Sequence, residues 1–100
     1  VLFIEDTGEP LYRIDRMLTH LHAAGKFAKL SGLILGTFTD NDNKEVDWIE
    51  KIWQRVVELA GGKYSVWANF PSGHGTRNIT LPVGLTVAMD SGTARLSFSD

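Results

Sequence analysis

Apolar residues recur along this chain in two rhythms, one suited to helices and one to buried strands. Val1–Ile4 is a short continuous apolar run rich in β-forming side chains, closed by Asp6-Thr7-Gly8-Glu9-Pro10; it predicts a buried strand. Leu11, Ile14, Met17, Leu18 and Leu21 then follow at helical spacing and form one apolar face. Arg13, Asp15 and Arg16 lie off that stripe. Pro10 suits the first position of this helix, Glu9 its N-cap, and Gly25 its end. Gly32–Leu35 predicts a second buried strand, and Thr39–Lys44 a polar loop. Asp47 with Glu50 three residues on has the spacing of a capping box. The helix it opens carries Ile49, Ile52, Trp53, Val56 and Leu59 towards a core, and Gly61-Gly62 stops it. Val66–Phe70 predicts a third strand. Leu85–Met89 and Ala94–Phe98 flank Asp90-Ser91-Gly92-Thr93, the pattern of a β-hairpin. The order is strand, helix, strand, helix, strand, loop, hairpin: a mixed α/β chain with an antiparallel C-terminal part. No repeat, linker or low-complexity segment interrupts it.

Composition narrows the class. One hundred residues, 43% of them apolar and 22% charged, fit one globular domain spanning 1–100. The formal net charge of −2 is too small to steer the chain to nucleic acid or to an anionic membrane. The absence of cysteine removes disulfides, thiolate catalysis and cysteine-based zinc sites together, and is compatible with a cytoplasmic setting. No apolar run approaches the roughly 20 residues that span a bilayer. Val1–Ile4 has no basic region before it and does not read as a secretory leader. The chain lacks an initiator Met and opens inside a strand, so it is expected to be part of a longer protein.

Candidate chemistry concentrates in residues 71–84, Pro-Ser-Gly-His-Gly-Thr-Arg-Asn-Ile-Thr-Leu-Pro-Val-Gly. His74 stands between two glycines, with little bulk beside its ring, and Pro71 and Pro82 restrict the backbone on both sides. Histidine is the side chain best suited to proton transfer near neutral pH. The competing reading is a surface turn histidine. Glu5 and Asp6 close the first strand, where a rigid strand can hold a carboxylate for a task or simply release it to solvent. His20 and His22 are two apart on a helix, point in different directions and cannot grip one metal. Ser72 lacks the strand-to-helix turn of a nucleophilic serine and reads as a turn residue. Gly73-His74-Gly75 is no dinucleotide fingerprint, since the third glycine and the strand–helix context are missing. Among Arg13, Arg16 and Arg77, Arg77 shares the His74 loop and is the best placed to pair with a substrate carboxylate. The chain thus offers a carboxylate and a histidine, a base with its orienting acid, and no convincing nucleophile.

These residues resemble the LD-carboxypeptidases, the serine peptidase family that includes muramoyltetrapeptide carboxypeptidase and the microcin C immunity peptidase. The likeness begins at Leu2-Phe3-Ile4-Glu5-Asp6-Thr7-Gly8-Glu9-Pro10 and runs through Tyr12-Arg13-Ile14-Asp15-Arg16-Met17-Leu18-Thr19 and Gly32-Leu33-Ile34-Leu35-Gly36. It ends at Gly73-His74-Gly75-Thr76-Arg77-Asn78 with Leu81-Pro82-Val83-Gly84. The resemblance implies a C-terminal domain of the swivelling β/β/α type, with two helices and a C-terminal hairpin. It implies a Ser-Glu-His triad in which Glu5 and His74 match the family glutamate and histidine, while the serine belongs to a separate N-terminal domain. It further implies cleavage of terminal D-alanine from peptidoglycan tetrapeptides in cytoplasmic murein recycling, with microcin-type peptide–nucleotide conjugates as the alternative substrate. A non-catalytic binding module on the same fold is the rival from another class. No metal or cofactor is expected. The expected partners are a peptide substrate, the N-terminal domain and a second copy in a homodimer, with neither nucleic acid nor membrane.

Overall fold

The computed structural model describes residues 1–39, 42, 47–71 and 81–99. Strands β1 (Leu2–Thr7), β2 (Gly32–Thr39) and β3 (Ser65–Trp67) form a parallel sheet in the order β1-β2-β3. Helix α1 (Leu11–Ala23) connects the first two strands and α2 (Ile49–Ala60) the second pair. Strands β4 (Thr86–Asp90) and β5 (Arg95–Ser99) form a separate antiparallel hairpin. This is the mixed α/β class with two helices and a C-terminal hairpin that the sequence pattern predicts.

The core explains why both helices share one face of the sheet. Ile14 and Leu18 of α1, Ile52 and Val56 of α2, and Leu33, Leu35 and Phe38 of β2 form one buried cluster, with Phe27 from the connection after α1. Leu2, Ile4 and Val66 pack against it from the flanking strands. The helices are also tied at their surface. Arg55 donates to Asp15 at 2.9 Å and to the Thr19 hydroxyl at 3.2 Å, and bonds Glu58 on its own helix at 2.9 Å.

Strand β2 is buried at every position. Since successive strand residues point to opposite faces, Gly32 and Ile34 face away from the helices. Their cover at the start of the strand is the hairpin. A Cβ on Gly32 would overlap the Met89 sulfur, and Ser91 at the hairpin turn bonds the Ser65 hydroxyl and the Trp67 ring nitrogen, each at 3.1 Å. The layers are therefore helices, parallel sheet, hairpin. A centre strand covered on both faces reads as a continuous apolar run, which is what Gly32–Leu35 is.

Element ends depart from the expected ones for local reasons. Pro10, not Glu9, is the N-cap of α1, and it lacks a capping side chain. Glu9 instead reaches Arg13, 3.4 Å away. Met17 is 42% exposed and leaves the apolar stripe. The N-cap of α2 is Trp48, without any side-chain cap, so the capping box of Asp47 and Glu50 does not form. The Trp48 ring lies against Phe38, with centroids 6.5 Å apart, and that tertiary contact takes precedence over the local capping preference. Both predicted first strands run further, to Thr7 and Thr39. The third is shorter than Val66–Phe70: Asn69 turns to φ 58° and breaks the ladder after Trp67. The ends at Gly25 and Gly61 are as expected.

Candidate active site

The carboxyl ends of the three parallel strands lie at one edge of the sheet, the place where open α/β sheets hold their ligands. Glu5 sits there, near the end of β1. The pairing of β1 with β2 is regular up to Ile4 opposite Leu35 and resumes at Asp6 opposite Phe38. One residue of β1, Glu5, therefore faces two of β2, Gly36 and Thr37. This is a β-bulge, a device that re-aims a side chain and is frequent beside active sites.

Alternation along β1 fixes where Glu5 points. Ile4 packs on the helix cluster, and so does Phe38, the partner of Asp6. Alternation then sends Glu5, between Ile4 and Asp6, to the opposite face, the one the hairpin shares. Glu5 is only partly exposed, and its Oε2 atom is sealed from solvent. It is not a carboxylate released into water where the strand emerges. Asp6 is held in the same stretch of ladder, and the chain leaves it through a Gly8 N–H bonded to the Thr39 carbonyl at 2.8 Å.

The segment after β3 reaches the same edge. Although the ladder stops at Trp67, the Phe70 N–H returns to donate to the Leu35 carbonyl at 3.0 Å. Pro71, the residue before the Ser72–Asn78 stretch, thus leaves the sheet beside the bulge. It lies two strand spacings from β1, about 10 Å. His74, Arg77 and Ser72 lie outside the described residues. A cleft of about 590 Å³, lined by Trp53, Trp67, Phe70, Pro71, Ser91 and Leu96 among others, runs along the outer side of this segment. A second cleft of about 650 Å³ between the helices, lined by Tyr12, Asp15 and Arg55 among others, lies across the sheet from Glu5.

The remaining candidates are exposed on α1. Arg13 is an exposed helix residue paired with Glu9, and Arg16 is exposed on the same helix. His20 and His22 are exposed in the last turn of α1, where the His22 ring meets Phe27 edge-on at 6.4 Å. No group of three or more metal-ligating side chains occurs among the described residues. None of the described helices is long and apolar enough to cross a membrane. Sequence reading missed the bulge at Gly36-Thr37. Its signal was present, because an isolated glycine within a strand pattern marks a bulge or a close backbone approach.

Residues 1–89 match the family model described as the LD-carboxypeptidase C-terminal domain. The murein tetrapeptide carboxypeptidase of Pseudomonas aeruginosa is 34% identical over 95% of this chain, which covers 31% of that protein. Among solved structures, the microcin C7 self-immunity protein in its wild-type apo state superposes with a TM-score of 0.80 at 25% identity. That match covers 99% of this chain and 30% of the other. The chain thus spans about a third of the length of the relatives it matches.

Proposed function

From the premise that this chain belongs to the LD-carboxypeptidase C-terminal domain family, we propose that it supplies Glu5 and His74 to a Ser-Glu-His triad. The whole enzyme would be a serine-type LD-carboxypeptidase that releases terminal D-alanine from peptidoglycan tetrapeptides in cytoplasmic murein recycling. The observation that carries this reading is the placement of Glu5. Alternation along β1 turns it to the face opposite the helices at the carboxyl edge, one of its oxygens is sealed from water, and the segment leading to His74 leaves the sheet two strands away.

The roles follow from the chemistry of such a triad. A serine from a separate domain of the longer protein attacks the scissile carbonyl carbon. His74 takes the serine proton, then gives it to the departing D-alanine nitrogen as the C–N bond breaks. Water next attacks the acyl-enzyme ester, His74 accepting its proton and returning it to the serine oxygen. Glu5 holds the imidazole in the productive tautomer and stabilises its cationic form. Arg77 would grip the substrate's terminal carboxylate through two parallel N–H···O bonds. No step needs a metal or cofactor.

A second reading is favoured by the fold match: hydrolysis of a microcin-type peptide–nucleotide conjugate, as suggested by the TM-score of 0.80 to the microcin C7 self-immunity protein. The test is D-alanine release from an L,D-tetrapeptide by the full-length protein, beside its His74→Ala variant. Release that falls at least ~10³-fold in the variant supports the carboxypeptidase reading. Absence of release, with hydrolysis of the conjugate that needs His74, selects the second. Activity on neither substrate leaves a non-catalytic module.

A further inference from the structure

The cleft at the outer edge of β3 has no part in the triad reading. Helix α2, strand β3 and the hairpin turn meet there, and the space between them is about 590 Å³, the size of a small-molecule site. Two indoles stand in its wall. Trp53 of α2 donates its ring N–H to the Val66 carbonyl at 3.3 Å, and Trp67 of β3 donates its own to the Ser91 hydroxyl at 3.1 Å. These bonds fix both rings and use up their polar atoms, since an indole has one donor and no acceptor. What the rings offer the cleft is apolar surface, and Trp53 keeps 37% of its surface in water. Phe70 and Pro71 extend that surface. None of the described residues lining the cleft is charged. Its polar side chains are the exposed Asn69 carboxamide and a Ser91 hydroxyl that accepts from Trp67 and donates to Ser65. Asn69 and Ala94, at φ 58° and 52°, are the two described non-glycine residues with left-handed backbone, and both line the cleft. Such conformations are held only where the surroundings impose them, and they gather at ligand clamps.

We propose that this cleft binds an uncharged pyranose ring. A sugar ring has an apolar C–H face, which stacks on the electron-rich face of an indole, and a rim of hydroxyl and acetamide groups that a carboxamide such as Asn69 can both donate to and accept from. Rings already fixed bind without the cost of ordering them. The uncharged lining offers a phosphate no partner, which disfavours the nucleotide end of a peptide–nucleotide conjugate here. Under the carboxypeptidase reading, on which this inference rests, the ring is the N-acetylated amino sugar that carries the peptide in peptidoglycan. Reach agrees with this. The Phe70 end of the cleft is bonded to Leu35 of β2, and Leu35 pairs on its other side with Ile4, the neighbour of Glu5. Two strand spacings, about 10 Å, separate that end from β1. An extended tetrapeptide spans about 13 Å. With its last bond beside Glu5, it brings its amino end, and the sugar joined to it, to the cleft. The site thus reads the end of the substrate remote from the bond that is cleaved, and it makes a glycan-bearing tetrapeptide the preferred substrate.

The experiment uses the full-length protein and an L,D-tetrapeptide in three forms: with a free amino end, with an N-acetyl cap, and with N-acetylmuramic acid joined to that end through its carboxyl group. The acetyl cap separates the effect of the sugar from the loss of the terminal ammonium charge. The readout is kcat/KM for D-alanine release from the sugar-bearing peptide, divided by that from the acetylated one. Such a ratio does not depend on how much of a variant is folded. The expected ratio is about tenfold in favour of the sugar, carried by KM. Trp53→Leu and Trp67→Leu each bring it close to about one. Asn69→Gly, which suits the left-handed backbone and removes only the carboxamide, lowers it about threefold. A ratio near one in the wild type, or a preference that survives both tryptophan replacements, overturns the proposal and leaves the triad reading intact. Release of D-alanine from none of the three peptides overturns the carboxypeptidase reading, and this inference with it.

Discussion

At the scale of single residues, two buried polar groups carry opposite meanings. The sealed Oε2 of Glu5 belongs to a strand-held carboxylate at the ligand edge of the sheet. Exchange of its charge for an amide keeps the shape but removes what orients and stabilises an imidazolium. Glu5→Gln in the full-length protein is expected to lower kcat by about 10⁴-fold with little change in KM, read by steady-state kinetics. Tyr64 is the structural counterpart. Its hydroxyl is buried and finds no hydrogen-bond partner among the described residues, while its ring packs on the core. Burial disfavours the phenolate and raises its pKa above the ordinary 10.0. The folded state therefore holds this proton more tightly than the unfolded chain. The associated stability is complete below about pH 10 and is lost as pH rises from there through the folded value. Tyr64→Phe removes an unsatisfied hydroxyl, so its melting temperature at pH 7 should equal or exceed that of the wild type. The melting temperature should also fall less between pH 9 and 11. A clear loss at pH 7 would mean that the hydroxyl has a partner after all.

At the scale of elements, the termini show which local signals survive tertiary packing. Gly61 caps α2 at φ 65°, with its N–H on the Val57 carbonyl at 3.2 Å. A side chain in that left-handed conformation is strained even with open space around it. Gly61→Ala should cost about 1 kcal/mol in denaturant unfolding, and Gly61→Asn less. This end was legible in the sequence because the backbone requirement is local to the glycine pair. The start of the same helix was not, because Trp48 is held by Phe38 from another element. The extension of β1 through Glu5 and Asp6 was likewise illegible from hydrophobicity. Those residues are polar, and the ladder continues past them, from Asp6 opposite Phe38 to Thr7 opposite Thr39, after a shift at Gly36-Thr37. The hairpin turn kept its predicted place, since the Asp90 carboxylate accepts from the Gly92 and Thr93 N–H groups at 3.0 and 3.3 Å. That is self-contained turn chemistry.

At the scale of the whole molecule, the sheet is covered unevenly. Helices close one face. On the other, the hairpin is anchored at Gly32, Ser65 and Trp67, and leaves apolar side chains in water at its base. Val83 is 98% exposed, and Leu85 and Phe98 about two-fifths. Under the proposed function this surface meets the domain that carries the nucleophile. The 100-residue chain by itself is expected to release no D-alanine from an L,D-tetrapeptide, at any concentration at which it stays folded. Detectable release, assayed by coupled oxidation of D-alanine, would show that this chain holds a nucleophile of its own.

The sequence by itself determined the element order, the core positions Ile14, Leu18, Ile52 and Val56 of the two helices though not Met17 or Trp53, which are exposed, the helix ends at Gly25 and Gly61, and the family. Each of these is written in spacing or in backbone preferences confined to a few neighbouring residues. The blocks around Glu5 and His74 were equally legible as candidate chemistry, though not as a juxtaposition. Only the tertiary structure decided that Glu5 turns away from the helices, that Gly36 is buried on the same face, and that the chain after β3 comes back to Leu35. Those facts depend on which strand lies beside which, and on one extra residue in a ladder between segments about thirty positions apart. Register between distant strands is fixed by the packing of a whole face, and no local pattern encodes it.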